Sequence, residues 1–107
     1  MDVQKVQWKK LDAHGDIPMG RIGCTLKKMG NKLILFGGLS QKGDYLNDLY
    51  EFDTYSLKWT KINALGEYPR PRESHTCIEY DSQLIFFGGS SPARLSDVYS
   101  LYKGGTI

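Results

Sequence analysis

An all-β chain made of two copies of one four-stranded unit is what this 107-residue sequence predicts. Three observations carry the prediction. The sequence matches itself at a fixed shift, and short apolar runs alternate with turns of Gly, Asn, Asp and Ser. No segment keeps a helical period over a useful length.

The self-match is dense. A shift of 51 residues carries Trp8 onto Trp59, Gly15 onto Gly66, Pro18 onto Pro69, Arg21 onto Arg72 and Thr25 onto Thr76. It also carries Leu33-Ile34 onto Leu84-Ile85 and Phe36-Gly37-Gly38 onto Phe87-Gly88-Gly89. The register holds from residue 8 to residue 40. Beyond that the second copy is shorter by two, so Asp48-Leu49-Tyr50 falls on Asp97-Val98-Tyr99 at a shift of 49. Loops absorb such changes of length.

Within each copy the first strand spans 21–28, matched by 72–79. A tight turn follows at Met29-Gly30-Asn31 or Tyr80-Asp81-Ser82, residues suited to hairpins. The second strand, 33–36 or 84–87, is apolar without alternation, which predicts burial of both its faces. The third, 48–53 or 97–102, is rich in aromatics. The fourth is 59–62, and its counterpart, 6–11, precedes the first copy. The chain therefore divides into a lone fourth strand at 6–11, a whole unit at 21–62 and a three-stranded unit at 72–102.

A period near 50, four strands per period, a glycine pair after an apolar strand and a late tryptophan together resemble the kelch family. The residues that carry the likeness are Phe36-Gly37-Gly38, Asp48-Leu49-Tyr50 and Trp59, then Phe87-Gly88-Gly89 and Asp97-Val98-Tyr99. Pro69-Arg70-Pro71-Arg72-Glu73-Ser74-His75-Thr76 looks like the P-R-x-x-H-T opening of kelch blades in host cell factor-like proteins. The first copy departs from it, with Gly20 in place of Pro71 and Cys24 in place of His75. The resemblance implies four-stranded blades of a β-propeller, with the glycines near a crowded axis and the tryptophans between blades. It implies a structural hydrogen-bonding role for Arg21 and Arg72. It also implies that residues 6–11 complete the last blade of a ring.

Kelch propellers resemble rings of about five to seven blades, so two blades cannot close one. Two completions stay open. Three copies make a six-bladed ring, each lending its first strand to the next, or this chain is the opening piece of a longer propeller. A homo-oligomer, with the trimer favoured, is the partner expected within the first reading.

The remaining features bound the function. Net charge is +2 with both signs scattered along the chain, which excludes a nucleic-acid footprint gathered on one face. The start carries charges and no apolar signal region, and no apolar run approaches the roughly 20 residues of a membrane helix. Neither nucleic acid nor membrane is an expected partner. Two cysteines are too few for a disulfide framework, and a reducing, cytoplasmic setting is expected, with the nucleus as the alternative.

Successive antiparallel strands send their connections to opposite ends. Loops 39–47 and 90–96 therefore share a face with the connections 12–20 and 63–71. That face offers Ser40, Gln41, Lys42, Asp44, Tyr45, Glu67, Tyr68, Arg70, Ser91 and Arg94, with His14 and Asp16. Gln41, Lys42, Asp44, Tyr45, Tyr68, Arg70, Ser91 and Arg94 are the candidate partner-binding residues. Tyrosine and arginine are common energetic anchors, which favours Tyr45, Tyr68, Arg70 and Arg94.

Catalytic readings are weaker. Ser74, His75 and Asp81 suggest a triad, but neighbours on a strand point to opposite faces. His14, His75, Cys24 and Cys77 lack the short spacing of a zinc site, and no cofactor is expected. The expected function is a non-enzymatic interaction scaffold that takes a protein or peptide on the long-loop face. The alternatives are a small-molecule-modifying propeller enzyme and a purely architectural subunit of a larger complex.

Overall fold

Residues 21–61 form one antiparallel blade, seen in a computed structural model that describes residues 4–104. Its first strand is split into β2 (Arg21–Ile22) and β3 (Thr25–Met29), because both pair with β4 (Lys32–Ser40) on either side of a break. The break lies opposite Gly37 and Gly38, whose φ values of +71° and +113° take the backbone out of the extended ladder. A Cβ on Gly38 would stand 2.9 Å from the Ile22 carbonyl. Only glycine fits there. β4 pairs with β5 (Tyr45–Asp53), with a bulge between Phe36 and Gly38, and β5 pairs with β6 (Lys58–Lys61).

A two-residue strand, β1 (His14–Gly15), runs parallel to β6 on the outer rim of this blade. His14 N–H donates to Leu57 O and Asp16 N–H to Trp59 O, each at 3.0 Å. The Asp16 carboxylate accepts from Lys61 N–H at 3.0 Å. The parallel clasp was not foreseen, since a two-residue strand leaves no periodic trace.

The second blade has three strands among the described residues. β7 (Thr76–Tyr80), β8 (Gln83–Phe87) and β9 (Val98–Tyr102) pair in order, and a bridge from Glu73 to Ser90 extends the first ladder as β2 does in blade 1. β9 has a free edge. Residues 6–11 form no strand, and Val6 and Trp8 are fully exposed.

The core lies between the blades. Met29, Ile34, Phe36 and Leu49 of blade 1 pack on Cys77, Leu84 and Phe86 of blade 2. Phe36 meets Phe86 edge-on, with ring centroids 5.1 Å apart. Burial of both faces of the second strand is realised in β4, where Ile34, Leu35 and Phe36 are all buried. It fails in β8. Leu84 and Phe86 turn toward blade 1 and are buried, while Ile85 is half-buried and Phe87 is exposed on the far face. The reason is physical: among the described residues nothing stands on that side. The radius of gyration, 15.5 Å, exceeds the roughly 13 Å of a compact chain this long, as an open arc requires.

Candidate partner-binding face

An arginine anchors each blade, built the same way twice. Arg72 Nε donates to Arg70 O at 2.9 Å, its Nη1 donates to Gly88 O at 2.9 Å, and its two Nη atoms grip the Asp97 carboxylate. Arg21 repeats the pattern with Met19 O, Gly37 O and Asp48. Each guanidinium lies 5.7 Å from a tyrosine ring, Tyr50 or Tyr99. The structural role expected of both arginines is the one observed. The hydrogen bond from Arg72 is the main cause holding the Asp97 carboxyl below its usual range.

These anchors fix the loops beside them. Asn47 donates from Nδ2 to Pro69 O at 3.1 Å, and Arg72 N–H donates to Leu46 O at 3.0 Å. The base of the β4–β5 hairpin is thereby tied to the 63–71 connection. Glu73 and Ser90 exchange both backbone hydrogen bonds, which ties loop 88–97 to the same end. The hairpin is tighter than predicted. β4 runs to Ser40 and β5 begins at Tyr45, so the loop shrinks from 39–47 to 41–44, closed by Ser40 N–H to Asp44 O at 2.9 Å.

Tyr68, Arg70 and Arg94 line one cleft of about 460 Å³ with Glu67, Leu95, Ser96, Asp97 and Tyr99. Arg70 and Arg94 are exposed. Tyr68 is half-buried and its hydroxyl is engaged at home, accepting from Ala64 N–H at 2.7 Å and donating to Ile62 O at 3.4 Å. Its ring, not its hydroxyl, is what the cleft offers. Gln41, Lys42 and Asp44 are exposed on the neighbouring hairpin, Tyr45 is half-buried at the start of β5, and Ser91 is half-buried in loop 88–97. None of these five lines the cleft. Asp16 and His14 are engaged on the blade 1 rim.

The other polar candidates also have structural partners. His75 is buried, its Nε2 is 2.9 Å from Thr25 Oγ1, and its ring stands edge-on to Phe36. Burial, assisted by the Arg72 charge, holds its pKa below the ordinary histidine value. Ser74 sits on the exposed side in a left-handed conformation, φ +58°, with its hydroxyl donating to Glu73. Asp81 belongs to the β7–β8 turn. The three residues do not converge. Burial pushes the Cys77 thiol up to about 11, while Cys24 is half-buried. Among the described residues, no three His, Cys, Asp or Glu side chains gather as a metal site. Sequence reading missed the Glu73–Ser90 bridge and the Asp97 grip on Arg72. The second was legible, because Arg21/Arg72 and Asp48/Asp97 both recur in the repeat.

A four-stranded antiparallel blade packed beside a three-stranded one, each with a glycine pair where its inner ladder breaks, defines the molecule as part of a β-propeller. The description of the family model that matches residues 1–104 is the KLHDC2/KLHL20/DRC7 Kelch-repeats domain. The chain belongs to the kelch-repeat family. It is similar to acyl-CoA-binding domain-containing protein 4 of Arabidopsis thaliana, 34% identical over 97 residues, covering 90% of this chain and 14% of that protein. It is similar to host cell factor of Drosophila melanogaster, 34% identical, with 94% of this chain and 8% of that protein covered. Host cell factor 1 of Homo sapiens is 33% identical, with coverages of 94% and 6%. The chain thus spans a small fraction of the length of these relatives.

Proposed function

We propose that the chain is a non-enzymatic interaction module that takes a protein or peptide partner on the face formed by loops 41–44, 63–71 and 88–97. The observation that carries this reading is the cleft between Tyr68, Arg70 and Arg94, whose lining includes Asp97, the partner of the buried Arg72. Asp97 is paired with Arg72, so of the remaining charged lining residues Arg70 and Arg94 outnumber Glu67 and leave the cleft cationic. A partner with acidic or other hydrogen-bond-accepting groups matches it. Rigid support under exposed loops is the usual setting for recognition.

The test is selection of binding peptides from a displayed library, followed by calorimetry. Combined Arg70→Ala and Arg94→Ala substitution is expected to weaken a selected ligand about tenfold or more, on the order of 1.4 kcal/mol. Tyr55→Ser, in the turn between β5 and β6 at the other end, is expected to leave binding unchanged. Binding that survives the arginine changes and is lost on Tyr55→Ser would place the partner elsewhere.

A further inference from the structure

One imidazole stands in the seam between the two blades. His75 is buried, its ring edge-on to Phe36 of blade 1 with centroids 5.4 Å apart and 6.0 Å from the Phe86 ring of its own blade. Its Nε2 reaches across to Thr25 Oγ1 at 2.9 Å. Gly37 makes the room, since a Cβ there would stand 3.0 Å from the ring Cε1. Three backbone hydrogen bonds cross the seam around it. Arg72 N–H donates to Leu46 O at 3.0 Å, and Gly38 N–H to Arg72 O and Ser74 N–H to Gly23 O do so at 2.8 Å. Blade 1 has Cys24 at the same place in the repeat, so the imidazole is a feature of this seam and not of the unit.

The site suits a neutral ring and not a charged one. Nδ1 is buried and has no hydrogen-bond partner among the described residues. A neutral imidazole that donates from Nε2 leaves only a lone pair there. The imidazolium carries N–H donors on both nitrogens and would bury one unmet. Of the charged groups around it, Arg72 disfavours a second cation and is itself fixed on Asp97. Glu73 and the Phe36 carbonyl favour one, but the Glu73 oxygens already accept from Ser74 and Ser90. Lys27, on β3, acts on Cys77 and adds positive charge to the same seam. Phe36, Phe86 and Thr25 bring no charged side chain. Burial, with Arg72, prevails and keeps the ring neutral.

We propose that His75 is an acid-released latch: when its ring takes up a proton, the two blades part locally at this end of the seam while each sheet stays paired. Parting is what brings water to Nδ1. It costs three backbone hydrogen bonds and the Thr25 contact, whereas melting a sheet costs a whole ladder. The packing of Met29 and Ile34 on Leu84 lies further along the strands and holds the blades together there. Both sides of the joint lie within residues 21–97, and the latch concerns the joint, not what the loops bind. The sign follows from linkage. Opening restores the ring to its ordinary value, 6.5, from a lowered one. The open form therefore gains as pH falls through 6.5, and the gain stops below the lowered value of the closed seam. Between pH 7.5 and 5.5 opening rises at most about tenfold, the limit for one group a unit below its open-state value.

Amide hydrogen exchange read by NMR tests the latch, with rates corrected for the intrinsic pH dependence of exchange. From pH 7.5 to 5.5 the Gly38, Arg72 and Ser74 amides are expected to lose roughly five- to tenfold in protection. The β4–β5 and β7–β8 ladder amides are expected to lose under about twofold. His14→Gln removes the only other histidine and is expected to keep the effect. His75→Gln can still donate to Thr25 but cannot titrate, and is expected to abolish it. Should that variant fail to fold, the native ring decides: its Cε1 proton should titrate together with the loss of protection at the seam. Unchanged protection of the three amides overturns the proposal, and so does equal loss throughout both sheets. An effect that persists in His75→Gln or vanishes in His14→Gln overturns it, as does a ring that titrates with no change at the seam.

Discussion

Phe36 and Phe87 hold the same place in the repeat, after the same apolar run and before the same glycine pair, yet one is 3% exposed and the other 49%. The difference is neighbourhood. Blade 2 stands against Phe36, and among the described residues nothing stands against Phe87. In an architecture of stacked units, local sequence determines the shape of a unit and the next unit determines which of its faces are interior.

The largest expected effect tests that comparison directly. Phe36→Ala should cost about 3–5 kcal/mol in denaturant unfolding, the usual cost of emptying a buried aromatic site. Phe87→Ala should cost roughly 1–2 kcal/mol at concentrations where the chain is monomeric, since only about half its surface is shielded. Equal costs would mean that the two flanks are covered alike. A Phe87 cost that grows with protein concentration would sharpen the comparison toward association.

Next in size are the ion pairs. The Arg72 side chain is 1% exposed and grips Asp97 with two nitrogens, whereas Arg21 holds Asp48 with one. Asp97→Ala should cost about 2 kcal/mol, below the roughly 3–5 kcal/mol for breaking a wholly buried pair, because Asp97 is partly solvated. Asp48→Ala should cost about 1 kcal/mol on the same scale. Reversed order in thermal or denaturant unfolding would show that blade 1 depends more on its anchor.

The smallest effect separates His75 from its blade 1 counterpart, Cys24. A histidine whose pKa is lowered on folding takes up its proton more readily in the unfolded chain. Stability is therefore full above the ordinary value of 6.5 and declines as pH falls from there toward the lowered folded value. Denaturation midpoints between pH 7.5 and 5.5 should fall for the native chain and flatten in His75→Gln. An unchanged slope in that variant would remove His75 as the cause.

Much of the fold was legible because the repeat is dense: nearly every strand centre, the glycine-broken inner strand and the two arginine anchors follow from matching one copy with the other. The rest was hidden for identifiable reasons. The β1 clasp is too short to leave a pattern, and the tight 41–44 turn depends on the Ser40–Asp44 hydrogen bond rather than on composition. At the candidate face, residue type alone pointed to Tyr45, Tyr68, Arg70 and Arg94; the last three share one cleft and Tyr45 lies outside it. It could not tell that the Tyr68 hydroxyl is bound by its own loop, since that depends on a contact four residues away.

The clasp of His14 and Gly15 on β6 also gives the molecule a direction. With the rim of blade 1 covered by a parallel segment, the β6 backbone at Lys58 and Trp59 is already engaged, whereas among the described residues no strand lies on the outer edge of β9. Of the two outer rims, that of blade 2 is the one with a run of backbone groups open to an added strand.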